Sequence, residues 1–73
     1  MRWRCRRGMK ELDLLLGAWL DRSWPVADGI RRQAFERLLD ETDPQLAAWL
    51  IGGLRPADTV LAGLIDEIVR VRH

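Results

Sequence analysis

The residues Arg7-Gly8-Met9-Lys10-Glu11 combine side-chain types and spacing that can do specific work. A cation and an anion flank a glycine. If a helix begins at Met9, Glu11 lies in its first turn, where the positive end of the helix dipole favours an acid. Gly8 has no side chain, so another backbone can approach it closely. The chemistry on offer is docking against a polar partner around an open backbone. A glycine kink between solvated charges satisfies the same spacing, and spacing alone leaves both readings open.

The surroundings sharpen the charge. Arg2, Arg4, Arg6, Arg7 and Lys10 place five basic side chains in the first ten residues, and Glu11 and Asp13 follow at once. Trp3 lies inside this basic arm. An aromatic ring among guanidinium groups suits a recognition surface, and it suits packing of the arm onto a core equally well.

Other reactive side chains offer less. Cys5 sits between arginines that would lower a thiol pKa, but it is the one cysteine and has no histidine nearby in sequence. It reads as a small half-buried residue on a short helix. His73 is the one histidine and the last residue, a poor place for a base or ligand. Asp40, Glu41 and Asp43 lack the glycine and ligand spacing of a calcium loop, and helix-end charge and capping explain them better. No nucleophile–base pair or metal set is present, so the sequence does not read as an enzyme.

These residues need elements to position them. Residues 2–7 are expected to form a short basic helix that Gly8 stops. From Met9, the apolar residues Leu12, Leu15, Leu16, Trp19 and Leu20 make one helical stripe, fading near Ser23 because Trp24 precedes Pro25. Asp28 is the expected N-cap of a helix with the stripe Ile30, Ala34, Phe35, Leu38 and Leu39, ending near Glu41. Asp43 is the expected cap of the next, with Pro44 at its first position. Leu46, Ala47, Trp49 and Leu50 form its apolar face, and Gly52-Gly53 end it. A last helix is expected from Pro56 or Ala57, carrying Leu61, Leu64, Ile65, Ile68 and Val69. The expected fold is all-α, a compact five-helix bundle of one short N-terminal helix and four amphipathic ones, in a single domain over residues 1–73.

Composition bounds the rest. Seventy-three residues bury a modest core and leave no room for a separate substrate domain. The net charge of +1 is low for a protein that lives on nucleic acid. No apolar run approaches the roughly 18 residues that span a bilayer. The basic start lacks the apolar segment and cleavage site of a secretory signal. A bacterial cytoplasmic protein is the simplest expectation.

The ordered blocks of the chain resemble a known family, the flavinylation (succinate dehydrogenase assembly) factors. The family's Arg-Gly-x-x-Glu signature stands here as Arg7-Gly8-Met9-Lys10-Glu11, preceded by Trp3 and Cys5-Arg6-Arg7 and followed by Leu12-Asp13. Phe35-x-x-Leu38-Leu39 and Asp43-Pro44-x-Leu46-x-x-Trp49-Leu50 resemble its second block, and Arg55-Pro56-Ala57-Asp58 its third. Trp24-Pro25, in a short linker from Leu20 to Asp28, departs from the pattern.

The resemblance implies a five-helix bundle that is not an enzyme. It implies binding to the flavoprotein subunit of succinate dehydrogenase and promotion of covalent FAD attachment there, with fumarate reductase flavoprotein as a second client. The bond to a partner histidine would form by the flavin's own chemistry. The sequence itself has no Gly-rich phosphate loop, so weak binding of free FAD or none is expected. Arg7, Gly8 and Glu11 would be the contact centre, with Trp3, Arg6 and Asp13 as secondary protein-binding residues. Two alternatives stand beside it: a nucleic-acid binder using the basic arm, and an antitoxin-like role that some bacterial members of the family suggest.

Overall fold

A computed structural model describes residues 2–5 and 7–71, with the side chains of Arg2, Trp3 and Val71 excepted. Four α-helices carry the core: α1 (Lys10–Arg22), α2 (Gly29–Leu39), α3 (Asp43–Leu50) and α4 (Thr59–Val71). Two 3-10 turns, Arg2–Cys5 and Trp24–Val26, fill in around them. Among the described residues there is no strand, as the all-α reading expected.

The expected fifth helix is a correction. Only Arg2–Cys5 coil, and they do so as a 3-10 turn. An α-helical nucleus fixes three residues for its first hydrogen bond, which so short a run does not recover. The tighter i→i+3 turn suits four residues. Arg7 is no longer helical, and Gly8 then turns the chain at φ +80° into α1. That region admits glycine with little strain and costs an L-residue roughly 1–2 kcal/mol.

The buried residues of the α-helices come from the expected stripes, with Leu20, Ala47, Trp49 and Val69 only half-buried at their edges. Leu12, Leu15, Leu16 and Trp19 of α1, Leu46 and Leu50 of α3, and Leu61, Leu64, Ile65 and Ile68 of α4 are all buried. On α2, Ala34, Phe35, Leu38 and Leu39 are buried, but Ile30 is 64% exposed. Ile30 sits in the first turn of α2, where side chains lean back past the helix start and away from the core. Trp49 is half-buried and packs at the core's edge, short of the core position expected for it. Trp19 is fully buried, stacked on Phe35 with centroids 4.5 Å apart. Trp24 meets both rings edge-on, at 6.4 Å from Trp19 and 6.1 Å from Phe35. Arg32 closes that linker, its guanidinium 5.1 Å from the Trp24 ring centroid and its Nε donating to the Trp24 carbonyl at 3.1 Å.

Helix ends follow local hydrogen bonding, with two revisions. Asp28 caps α2 as expected, its carboxylate accepting from the Arg31 N–H at 2.8 Å. Asp43 does not cap α3. Thr42 does, through Oγ1 to the Gln45 N–H at 3.4 Å. The Thr42 carbonyl already accepts from the Leu46 N–H at 2.9 Å, the donor an Asp43 cap would have used. Asp43 instead turns toward Arg7. α4 begins later than expected because Asp58 caps it, its carboxylate accepting from the Val60 and Leu61 N–H groups at 2.8 and 3.1 Å. Gly53, at φ +82°, ends the turn after α3 and lets the Leu54 N–H reach the Ala48 carbonyl at 3.0 Å.

Two carboxylates in this half are held below the usual range. The Leu61 N–H, and then Arg37 at 3.0 Å, favour ionised Asp58. Arg55 grips Asp66 with two parallel bonds of 2.6 and 2.8 Å, lowering that carboxyl and raising the guanidinium. Groups whose pKa is depressed on folding stabilise the fold above their ordinary pKa of about 3.9 and lose that contribution as pH falls through the folded value. A urea-unfolding series from pH 6 down to about 2.5 is therefore expected to show an acid limb. The limb should be shallower in Asp58→Asn and Asp66→Asn, which have nothing to protonate there.

Candidate functional site

The N-terminal segment crosses the C-terminal end of α2, and arginines hold it there. Arg4 Nη2 donates to Asp40 Oδ1 at 2.7 Å and toward the Glu36 carbonyl at 3.5 Å. Arg7 Nη2 donates to the Leu39 carbonyl, and Arg7 Nη1 lies 3.7 Å from Asp43 Oδ1. The last carbonyls of a helix lack intrahelical donors and carry the negative end of its dipole. Two guanidinium groups answer both needs at α2. Cys5 is buried between them in sequence, 2% exposed and part of the core, more deeply placed than the half-buried position expected.

Arg7 is consequently a half-buried residue. Its side chain is 18% exposed, and Nε is buried without a hydrogen-bond partner among the described residues. Its backbone is held as well, since the Arg7 N–H donates to Asp13 Oδ1 at 2.5 Å. Asp13 is in the early part of α1, so this bond closes a loop over Gly8 and Met9.

What that loop presents is open backbone. Gly8 is exposed, and a Cβ placed on it would meet no atom within 4 Å. Met9 and Lys10 beside it are exposed, and Glu11 is half-buried in the first turn of α1. One turn on, Leu14 is 60% exposed. The structure thus brings Arg7, Gly8, Glu11 and Asp13 together at one junction. Arg6 and the side chain of Trp3 lie outside the described residues, as does His73.

The arrangement can bind, with little for covalent chemistry. No cluster of three metal-ligating side chains occurs among the described residues. Reading by spacing singled out Gly8 and Glu11. It missed Arg4, Asp40 and the Leu39 carbonyl as parts of the same junction, because those contacts join residues 32 to 36 positions apart. The alternating arginines from Arg2 to Arg7 followed by acids at the α2–α3 turn were the available signal. Helix-end charge and capping account for Asp40 and Asp43 in sequence, and neither points to an arginine partner. Elsewhere, a cleft of about 440 Å³ opens between α3 and α4, lined by Trp49, Ile51, Leu54, Arg55, Val69 and Arg70 among others. It contains no residue of the Gly8 junction.

A family model described as Sdh5, flavinator of succinate dehydrogenase, matches residues 1–72. The chain belongs to that family. Proteins named FAD assembly factor SdhE are similar across nearly its whole length. The one from Methylococcus capsulatus is 50% identical over 66 residues, covering 90% of this chain and 80% of the relative. The Coxiella burnetii protein is 37% identical, covering 93% of this chain and 83% of the relative. The Xylella fastidiosa protein is 43% identical, with 93% and 70% covered. These relatives are named for assembly, not for catalysis, and membership of the family agrees with the resemblance carried by the three sequence blocks. No helix among the described residues is long and apolar enough to cross a membrane.

Proposed function

We propose that this chain binds the flavoprotein subunit of succinate dehydrogenase and promotes covalent attachment of FAD to it. The docking surface is the turn at Gly8 with Glu11 beside it, framed by Arg7 and Asp13 and edged by Trp3 and Arg6. The observation that carries the reading is Gly8 itself: exposed, at positive φ, with open space around it and an acid three residues on, in a chain of the flavinator family. Such a turn lets a partner's backbone approach where a side chain would hold it off.

The flavin's own chemistry makes the bond to a partner histidine, and this chain supplies binding free energy. A helper shifts a conformational equilibrium only by its difference in affinity for the two states. Tighter binding to the attachment-competent flavoprotein than to other conformers is therefore its whole contribution. FAD belongs to the partner, since the sequence offers no glycine-rich phosphate loop ahead of a helix. Fumarate reductase flavoprotein is a second client by family resemblance. The reading places the chain in the cytoplasm, beside newly made flavoprotein.

A nucleic-acid role is disfavoured by the arm's own contacts. Arg4 and Arg7 are engaged with Asp40, Leu39 and Asp43, so they do not form a free cationic strip. The test is co-purification of co-expressed succinate dehydrogenase flavoprotein with the tagged chain. The wild type is expected to retain the flavoprotein and Glu11→Ala to release it. Full retention by Glu11→Ala would remove Glu11 from the interface.

A further inference from the structure

We propose that Arg7 and Asp13 are positioning residues, which fix the shape of the Gly8 turn without touching the partner. The inference rests on the docking role of that turn and divides its labour. Arg7 points inward, 18% exposed at its side chain, with its guanidinium on the Leu39 carbonyl and beside Asp43. Asp13 is half-buried, and its Oδ1 accepts from the Arg7 N–H at 2.5 Å. Between these two anchors stand the exposed residues, Gly8, Met9 and Lys10, leading into Glu11.

The physical logic is pre-organisation. A turn built around glycine has many unfolded alternatives, and ordering it on docking would subtract from affinity. The Asp13 bond closes the turn from the α1 side. The Arg7 side chain fastens the residue before it to the end of α2. Arg7 thus carries its charge toward α2 and α3, and the surface presented outward is the Gly8 backbone with Met9, Lys10 and Glu11 beside it.

The role of Asp13 makes a distinctive demand. It needs an oxygen acceptor at Oδ1 and has no need of a negative charge. Asparagine keeps the acceptor and loses the charge, whereas alanine loses both. A carboxylate that paired with a cation on the partner would fail in both variants.

The experiment measures binding of full-length wild type, Asp13→Asn and Asp13→Ala to purified succinate dehydrogenase flavoprotein, with amide hydrogen exchange of the free chains alongside. Asp13→Asn is expected to bind within about twofold of wild type, and Asp13→Ala about tenfold more weakly, the worth of one hydrogen bond. Exchange at Gly8–Leu12 should be faster than wild type in free Asp13→Ala and in free Arg7→Ala, and unchanged in Asp13→Asn. Asp13→Asn binding as poorly as Asp13→Ala, with an unaltered turn, would put the charge at the interface and overturn the inference. So would Arg7→Ala that loses binding while its turn exchanges as in wild type. A wild-type chain that does not bind at all defeats the docking reading instead, and the exchange data in the free chains still decide whether Arg7 and Asp13 set the turn.

Discussion

Gly8→Arg is expected to abolish covalent flavin attachment while leaving a folded bundle. The two halves of this expectation have separate causes. Gly8 sits at φ +80°, where a Cβ adds roughly 1–2 kcal/mol of backbone strain. No atom lies within 4 Å of that Cβ, so the arginine side chain extends into solvent without disturbing the core. In a domain of this size that strain lowers the melting midpoint by about 4–16 °C. The docking surface fares worse, because a long cationic side chain now stands where the partner's backbone must approach. Gly8→Ala separates the effects: it carries the same strain with a single added carbon, so it should melt like Gly8→Arg and retain part of the activity. Thermal melts by circular dichroism, paired with in-gel flavin fluorescence of the denatured flavoprotein, read both quantities.

The second large effect lies in the core. Trp19 is fully buried, stacked on Phe35 and met edge-on by Trp24. Truncating such a residue costs about 3–5 kcal/mol in transfer and cavity terms. A domain this small has roughly 0.05–0.15 kcal/mol of stability per residue to oppose it. Trp19→Ala is therefore expected to lose its cooperative urea transition and its near-ultraviolet circular dichroism. Trp19→Phe should keep both. It retains an aromatic face against Phe35, and it removes an indole Nε1 that is buried without a hydrogen-bond partner among the described residues. A cooperative transition in Trp19→Ala close to that of wild type would mean that the core does not depend on this ring.

Much of the helical layout was legible in the sequence, because each stripe is a local pattern of period 3.6. Asp28 was legible as a cap for the same reason: the carboxylate and the N–H it serves are three residues apart. Asp43 misled because two adjacent residues, Thr42 and Asp43, both suit a cap. The choice between them was settled by a hydrogen bond already made and by an arginine far away in sequence. The N-terminal run misled in the opposite direction. Its basic residues suited a helix, and glycine suited its stop, yet Arg2–Cys5 form a single 3-10 turn.

The site divides along the same line. Gly8 and Glu11 were legible from spacing, since a glycine ahead of a helix start and an acid in its first turn are local signals. The inward direction of Arg7 was not. Its acceptor is a backbone carbonyl at Leu39, which has no side-chain signature in sequence. The run of arginines looked like a surface for an anionic partner, and Arg4 and Arg7 meet their anions within the chain itself.

The central claim is that this chain promotes covalent flavin attachment to the succinate dehydrogenase flavoprotein. The most direct test mixes purified apo-flavoprotein with FAD, with and without an equimolar amount of the purified chain. The readout is flavin fluorescence that survives denaturing electrophoresis, followed over time. Covalent flavin is expected to accumulate faster when the chain is present. Identical time courses with and without it, from a flavoprotein shown to be competent for attachment, would contradict the account.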